Sequence, residues 1–251
     1  IQTPIDIFAQ RTYPDTVNLS SSNFDTHGLT VHPIVLLKPP DRRDFPCYTP
    51  YRCMLPKGLD GILVTGLGIS AHRDAMPFLR MQPDIQNQGY AMGVAAAMAV
   101  RDDKGLRNIE IRNLQKHLVE NGNLPESVLT DQDSFPLPQE EIVTAVDIVA
   151  TDLKAQEGVE GDPVPPSVPD PLAVILAHPR ESLPLLRNAY KNAAERQDRL
   201  IYAQILGMMG DAAGNATLIE TIQSRRWDQQ GGLYGRRQSY LDDLIVAVGR
   251  T

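Results

Sequence analysis

Along the chain, apolar positions change their spacing three times, and each change predicts a different kind of element. Residues 16–55 hold short apolar runs, TVNLSS, LTVHPIVLL and CYTPYRCML, separated by turn-rich stretches such as KPPDRRDFP. This pattern predicts β segments and a small antiparallel sheet. The run GILVTG at 61–66 is compact, apolar and closed by glycine. It predicts a buried strand that stops at a tight turn.

From Pro83 the character becomes helical. The Ala-rich stretch to Val100 has high helix propensity, and Pro83 suits a first helical position. Gly89, Gly93 and Ala97 recur every four residues. On a helix they form one face almost without side chains, which a strand, a helix or a ligand could approach closely. RNIEIRNLQKHLVENG at 107–122 has helical period and ends on Asn-Gly, so it predicts a surface helix. One more helix is expected from PLPQEEIVTAVDIVATDLKAQ.

The stretch EGVEGDPVPPSVPDP after it is too rich in Pro, Gly and acids to pack a core, and a linker is expected near 157–170. Beyond it PLAVILAH, SLPLLRNAYKNAA, RLIYAQILGMMG, ATLIETIQS and SYLDDLIVAVG predict a succession of short helices. Tyr202–Gly207 aligns with Leu244–Gly249 at a separation of 42 residues, within the range of HEAT and armadillo repeats. The second copy stops soon after its glycine, at Thr251.

Composition narrows the function classes. Residues 1–130 carry 13 basic against 13 acidic side chains, whereas 131–251 carry 11 against 18, so the net charge of -7 belongs to the second half. Without a basic stripe to neutralise phosphates, no nucleic-acid partner is expected. No apolar run approaches the roughly 20 residues of a membrane span, so no membrane association is expected either. Cys47 and Cys53 have no companion ligands at zinc-site spacing, and no metal site is expected. They read as plain thiols or one optional disulfide. The compartment stays open, cytoplasmic or exported.

Gly66-Leu67-Gly68-Ile69-Ser70-Ala71 formally satisfies a dinucleotide-binding G-x-G-x-x-A. In such a fold a helix begins within the turn, whereas here Pro77 and Pro83 interrupt the next stretch. The motif alone therefore does not predict a Rossmann unit.

The stretch Tyr51–Ala99 says more. Pro50-Tyr51-Arg52, Leu55-Pro56-Lys57-Gly58, then Gly66, Ile69-Ser70-Ala71, Arg80, Gln82-Pro83, Gly89 and Gly93 succeed one another in an ungapped order. That order resembles the C-terminal part of FAD-dependent oxidoreductases of glutathione-reductase-like fold. The resemblance implies an α+β chain: the C-terminal part of an FAD-binding domain over 1–125, a connecting helix over 126–156, the linker, and HEAT-like repeats over 171–251. It implies that Gly66, Gly68, Ile69, Ser70, Gln82, Pro83 and Gly89 face FAD. Leu67, Gly68 and Arg73-Asp74 depart from the common family residues, which leaves the substrate open beyond a small organic molecule that gives hydride to flavin.

Flavin oxidations need a proton acceptor near the reacting carbon. His27, His72 and Arg80, with His32 beside them, are the acid/base candidates, while His117 and His178 read as solvent-exposed. Residues 1–251 lack a glycine-rich ADP loop, so a missing N-terminal nucleotide-binding segment is an expected partner. The chain reads as a fragment that by itself holds no FAD and has no activity. Two rival readings are a non-enzymatic module whose repeats recruit a protein, and a carbohydrate-related protein. SRRWDQQGGLYGRR, with Trp227 and Tyr234, is a loop able to stack on a sugar or acidic ligand.

Overall fold

A computed structural model describes residues 1–40, 46–156, 169–225 and 239–251. The linker expected near 157–170 falls almost wholly outside these residues, as do Trp227 and Tyr234. Two compact units emerge, residues 1–25 with 41–136 and residues 26–40 with 137–251. Neither is one continuous stretch of sequence.

In the first unit, helix α1 (Pro4–Phe8) opens with a capping box in which Thr3 and Asp6 satisfy each other's backbone N–H groups. Strands β1 (Thr16–Ser20) and β2 (Cys47–Pro50) pair antiparallel, Ser20 opposite Cys47 and Thr16 opposite Pro50, with a bulge between Thr16 and Asn18. The small antiparallel sheet is therefore present. Onto it pack α3 (Gln82–Arg101) and α4 (Ile111–Glu120). Phe78 is fully buried and lies edge-on to Phe8 at 6.2 Å and beside Phe24 at 4.8 Å. Buried Gln115 of α4 donates to the carbonyls of Pro14 and Thr16, at 3.1 and 2.9 Å, tying the helix to the strand entry.

Two β expectations are overturned. LTVHPIVLL does not form a strand: Pro33–Leu37 is helix α2, with His32 as its N-cap accepting from the Ile34 N–H through Nδ1 at 3.3 Å. Pro33 at the first helical position favours this outcome over β propensity. GILVTG also forms no strand, because an extended run needs a neighbour to satisfy its backbone. Among the described residues no strand pairs with it. The Val64 N–H donates to Met54 O at 2.8 Å, Gly66–Gly68 closes as a 3-10 turn, and Leu59 and Ile62 are exposed.

The second unit is helical: α5 (Gln139–Gln156), α6 (Pro171–Ala177), α7 (Pro179–Asn192), α8 (Arg196–Met208), α9 (Asn215–Ser224) and α10 (Tyr240–Gly249), joined by α2. Neighbouring helices pack as α7 on α8 and α9 on α10, with α8 touching both α9 and α10. Leu36 of α2 shares a core with Ala203, Met208, Leu218, Leu244 and Ala247. Close approach is built in, since a Cβ on Gly207 would stand 2.8 Å from Ala247 O and one on Gly214 only 2.6 Å from Ala203 Cα.

Candidate flavin-facing site

The site predicted from the sequence centres on the turn after residue 65 and the start of α3. Gly66 has φ +64°, in the left-handed region where glycine carries no penalty. Its N–H donates to Gln88 Oε1 at 3.0 Å, while Gln88 Nε2 donates to Leu79 O at 3.1 Å. Gln88 is completely buried. One amide of α3 thus holds both the glycine turn and the segment leading into its own helix. Sequence reading missed Gln88; the signal was a polar residue in register with the buried Ala91, Met92 and Ala95 of the same helix.

Backbone donors in the turn are largely engaged. Gly68 donates to Thr65 O at 3.4 Å, Ile69 to Gly66 O at 3.3 Å, Ser70 to Cys53 O at 2.8 Å, Ala71 to Ile69 O at 2.8 Å and His72 to Gln2 O at 2.7 Å. A phosphate cradle requires several such groups aimed at the ligand. The glycine turn therefore does not fit a pyrophosphate-binding loop, and α3 starts only at Gln82. Gly68 instead allows close packing, since a Cβ there would lie 2.7 Å from Val64 Cγ1.

The start of α3 fits a flavin better. Gln82 and Pro83 are exposed, and Met81 at the N-cap makes no side-chain hydrogen bond to the first turn. Asp84 is the acidic group there, but it is buried, accepting from Ser22 Oγ at 2.6 Å. Burial raises its pKa, against the pull of hydrogen bonds from Ser22, Ser20 and the backbone N–H groups of Met81 and Ser21. The carboxylate offsets the helix dipole from the inner side and leaves the outer side of the first turn to a ligand. Further along, a Cβ added at Gly89 or Gly93 would meet no atom within 4 Å, so the expected open face exists.

The catalytic candidates separate. Arg80 donates to Asp25 O at 2.6 Å and lies 3.4 Å from its carboxylate, which makes it a brace for the chain after β1. His72 Nδ1 accepts from the Asp74 N–H at 3.0 Å, a local turn contact. His27 is exposed and belongs to the segment that clusters with the second unit. The first unit brings His72 and Arg80 into the segment between the glycine turn and α3, but not His27.

Two other histidines differ from expectation. His178 is buried, with Nδ1 donating to Val174 O at 2.8 Å and Nε2 accepting from the Leu137 N–H at 3.0 Å. This pairing requires a neutral ring and ends α6 against the entry to α5. His117 is half-buried and stacks on Tyr90, whose hydroxyl lies 2.9 Å from Nε2. Cys47 and Cys53 are both buried and form no disulfide, and burial raises both thiol pKa values.

A comparison with protein families bears on this geometry. Residues 3–118 match the family model described as FAD dependent oxidoreductase. The match contains α1, the sheet, the glycine turn, α3 and nearly all of α4, and it supports a flavin-linked redox function for this part of the chain. It also contains α2, which packs in the helical unit. No curated protein and no solved structure matches the chain. Among the described residues no helix is long and apolar enough to cross a membrane, and no three His, Cys, Asp or Glu side chains cluster as metal ligands would.

Proposed function

We infer that the first unit forms the flavin-facing part of an FAD-dependent oxidoreductase of glutathione-reductase-like type, which takes hydride from a small organic substrate. The observation that carries this reading is the start of α3: a 20-residue helix whose first turn is exposed on one side and offset by a buried Asp84 on the other. FAD, when bound, supplies the electron-accepting ring. Gln82 and Pro83 would face its pyrimidine edge, on the side of the helix start that Asp84 does not occupy. Gly66, Gly68, Ile69 and Ser70 would pass beside the cofactor as a shaped wall, their N–H groups being mostly used within the protein. Gly89 and Gly93 would let a neighbouring element lie close along α3.

The ADP half of the cofactor needs a glycine-rich strand-turn-helix, and in this reading a nucleotide-binding segment outside the described residues provides it. His72 and Arg80 keep the approach to α3 in place. The helices after 137 form a HEAT-like extension.

Flavin binding tests the reading. The complete gene product, purified and scanned in the visible range, is expected to carry FAD, and Gln82→Glu is expected to weaken it by placing a second negative charge at the helix start. A complete product without flavin, or one in which Gln82→Glu leaves affinity unchanged, would overturn it. The 251-residue chain alone is expected to be colourless.

A further inference from the structure

Residues 26–40 stand between β1 and β2 in sequence, yet they cluster with the helices beyond residue 137. An apolar contact and an ion cluster hold them there, both inside the helical unit. Ile34 and Val35 of α2 are buried, and Leu36 shares a core with residues of α8, α9 and α10. Directly after α2, the buried ammonium of Lys38 meets Asp152 of α5 at 2.7 Å and Asp170, the N-cap of α6. Helices α5 and α6 thus present two carboxylates to one cation that the segment supplies. On the sheet side the chain is fastened earlier, at Asp25, whose carbonyl accepts from Arg80 at 2.6 Å. The change of unit falls at the next residue, Thr26.

We propose that residues 26–40 are a strap that opens and closes with the helical unit, and not with the sheet whose two strands it joins. The reason is what release would leave behind. Without the strap, the place of Leu36 in the helical core is empty, and Asp170, fully buried, faces Asp152 with Lys38 gone. A cavity and an uncompensated buried charge are among the largest penalties a fold can incur, so the strap leaves its seat only when the seat itself comes apart. The helices therefore control the order of the connection between β1 and β2. By linkage, anything that binds the folded helices tightens that connection, and anything that loosens them frees it. This device operates whether or not flavin is bound.

Amide hydrogen exchange of the 251-residue chain, resolved residue by residue, tests it, because exchange of a protected amide reads the opening of the unit to which it belongs. The strap has its own probes: the N–H groups of Val35 and Leu36 donate to His32 O, and that of Lys38 to Ile34 O. Leu244→Ala cuts into the core that Leu36 shares, far from the strap in sequence. It is expected to speed exchange at Val35, Leu36, Lys38 and the amides of α8 together, by about 30-fold or more, while β1 and β2 keep their rates. Leu244→Val is expected to give the same order of effects at smaller size, in case the alanine variant does not fold. Gln88→Leu, which loosens the first unit, is expected to do the reverse, with β1 and β2 faster and the strap unchanged. Strap amides that keep their wild-type rates in the Leu244 variants would overturn the proposal. So would strap amides that follow the sheet in Gln88→Leu, or a Leu244 variant in which strap, helices and sheet all accelerate alike.

Discussion

Gly66 and Gln88 are joined by a 3.0 Å hydrogen bond between the backbone N–H of a left-handed turn and the side-chain oxygen of a fully buried amide. The other end of the same amide holds Leu79 O. Replacing Gln88 by Leu keeps the volume but leaves a buried donor and a buried acceptor unpaired, at a cost of about 2–4 kcal/mol. The urea midpoint of the first unit is expected to fall accordingly and, on the proposed function, flavin affinity with it, since the turn loses its anchor.

Glycines at the site separate conformation from space. A methyl group on Gly66 would make only an ordinary 3.5 Å contact with Ile85, so Gly66→Ala costs about 1–2 kcal/mol through its positive φ alone. Gly89→Ala has open space in mid-helix and is expected to stabilise the chain by about 0.5–1 kcal/mol. Thermal melting gives both signs. If the Gly89 face receives an element in the flavin-bearing protein, the same alanine raises stability while lowering flavin affinity.

Lys38 is buried among carboxylates, 2.7 Å from Asp152 and in direct contact with Asp170. Asp170 also caps α6 by accepting the Ala173 N–H at 3.1 Å. Burial raises the pKa of Asp170, and the ammonium of Lys38 opposes that shift. Lys38→Met removes the only cation of the cluster among the described residues and leaves two carboxylates close together, one of them fully buried. A loss of about 3–5 kcal/mol is expected, read as an early transition of the helical unit in urea.

Acid is expected to act in part through Asp133. Burial pushes its pKa up, but hydrogen bonds from the Arg11 guanidinium, at 2.8 and 2.9 Å, and from the Phe135 N–H carry it below the ordinary range. Since the folded value lies under the unfolded one, its contribution is complete above about pH 4 and is lost as pH falls through the folded value. Asp133→Asn is expected to lower stability at neutral pH by up to about 1 kcal/mol, the pair being partly exposed. It should also flatten the acid limb of a urea-midpoint-against-pH curve. An unchanged limb would place the acid sensitivity elsewhere.

Helices were legible because their signals are local. The period of α4, its Asn-Gly stop, Pro83 at the start of α3 and the apolar stripes of α7 to α10 each arise from residues within a few turns of one another. Strands were not equally legible. LTVHPIVLL and GILVTG have β composition, yet one became helix behind Pro33 and the other remained unpaired. A strand exists only when a partner supplies its hydrogen bonds, and that partner lies far away in sequence.

For the site, the sequence by itself determined the order Gly66 to Gly93, the acidic residue in the first turn of α3, and the resemblance that the family match over residues 3–118 supports in its coarser form. Tertiary structure decided what those residues can do. It spent the backbone donors of the glycine turn inside the protein and turned Asp84 inward. It also buried His178, and packed α2 among the helices beyond residue 137. Whether a donor is spent or a charge is buried depends on groups tens of residues apart meeting in space. No local spacing encodes that meeting.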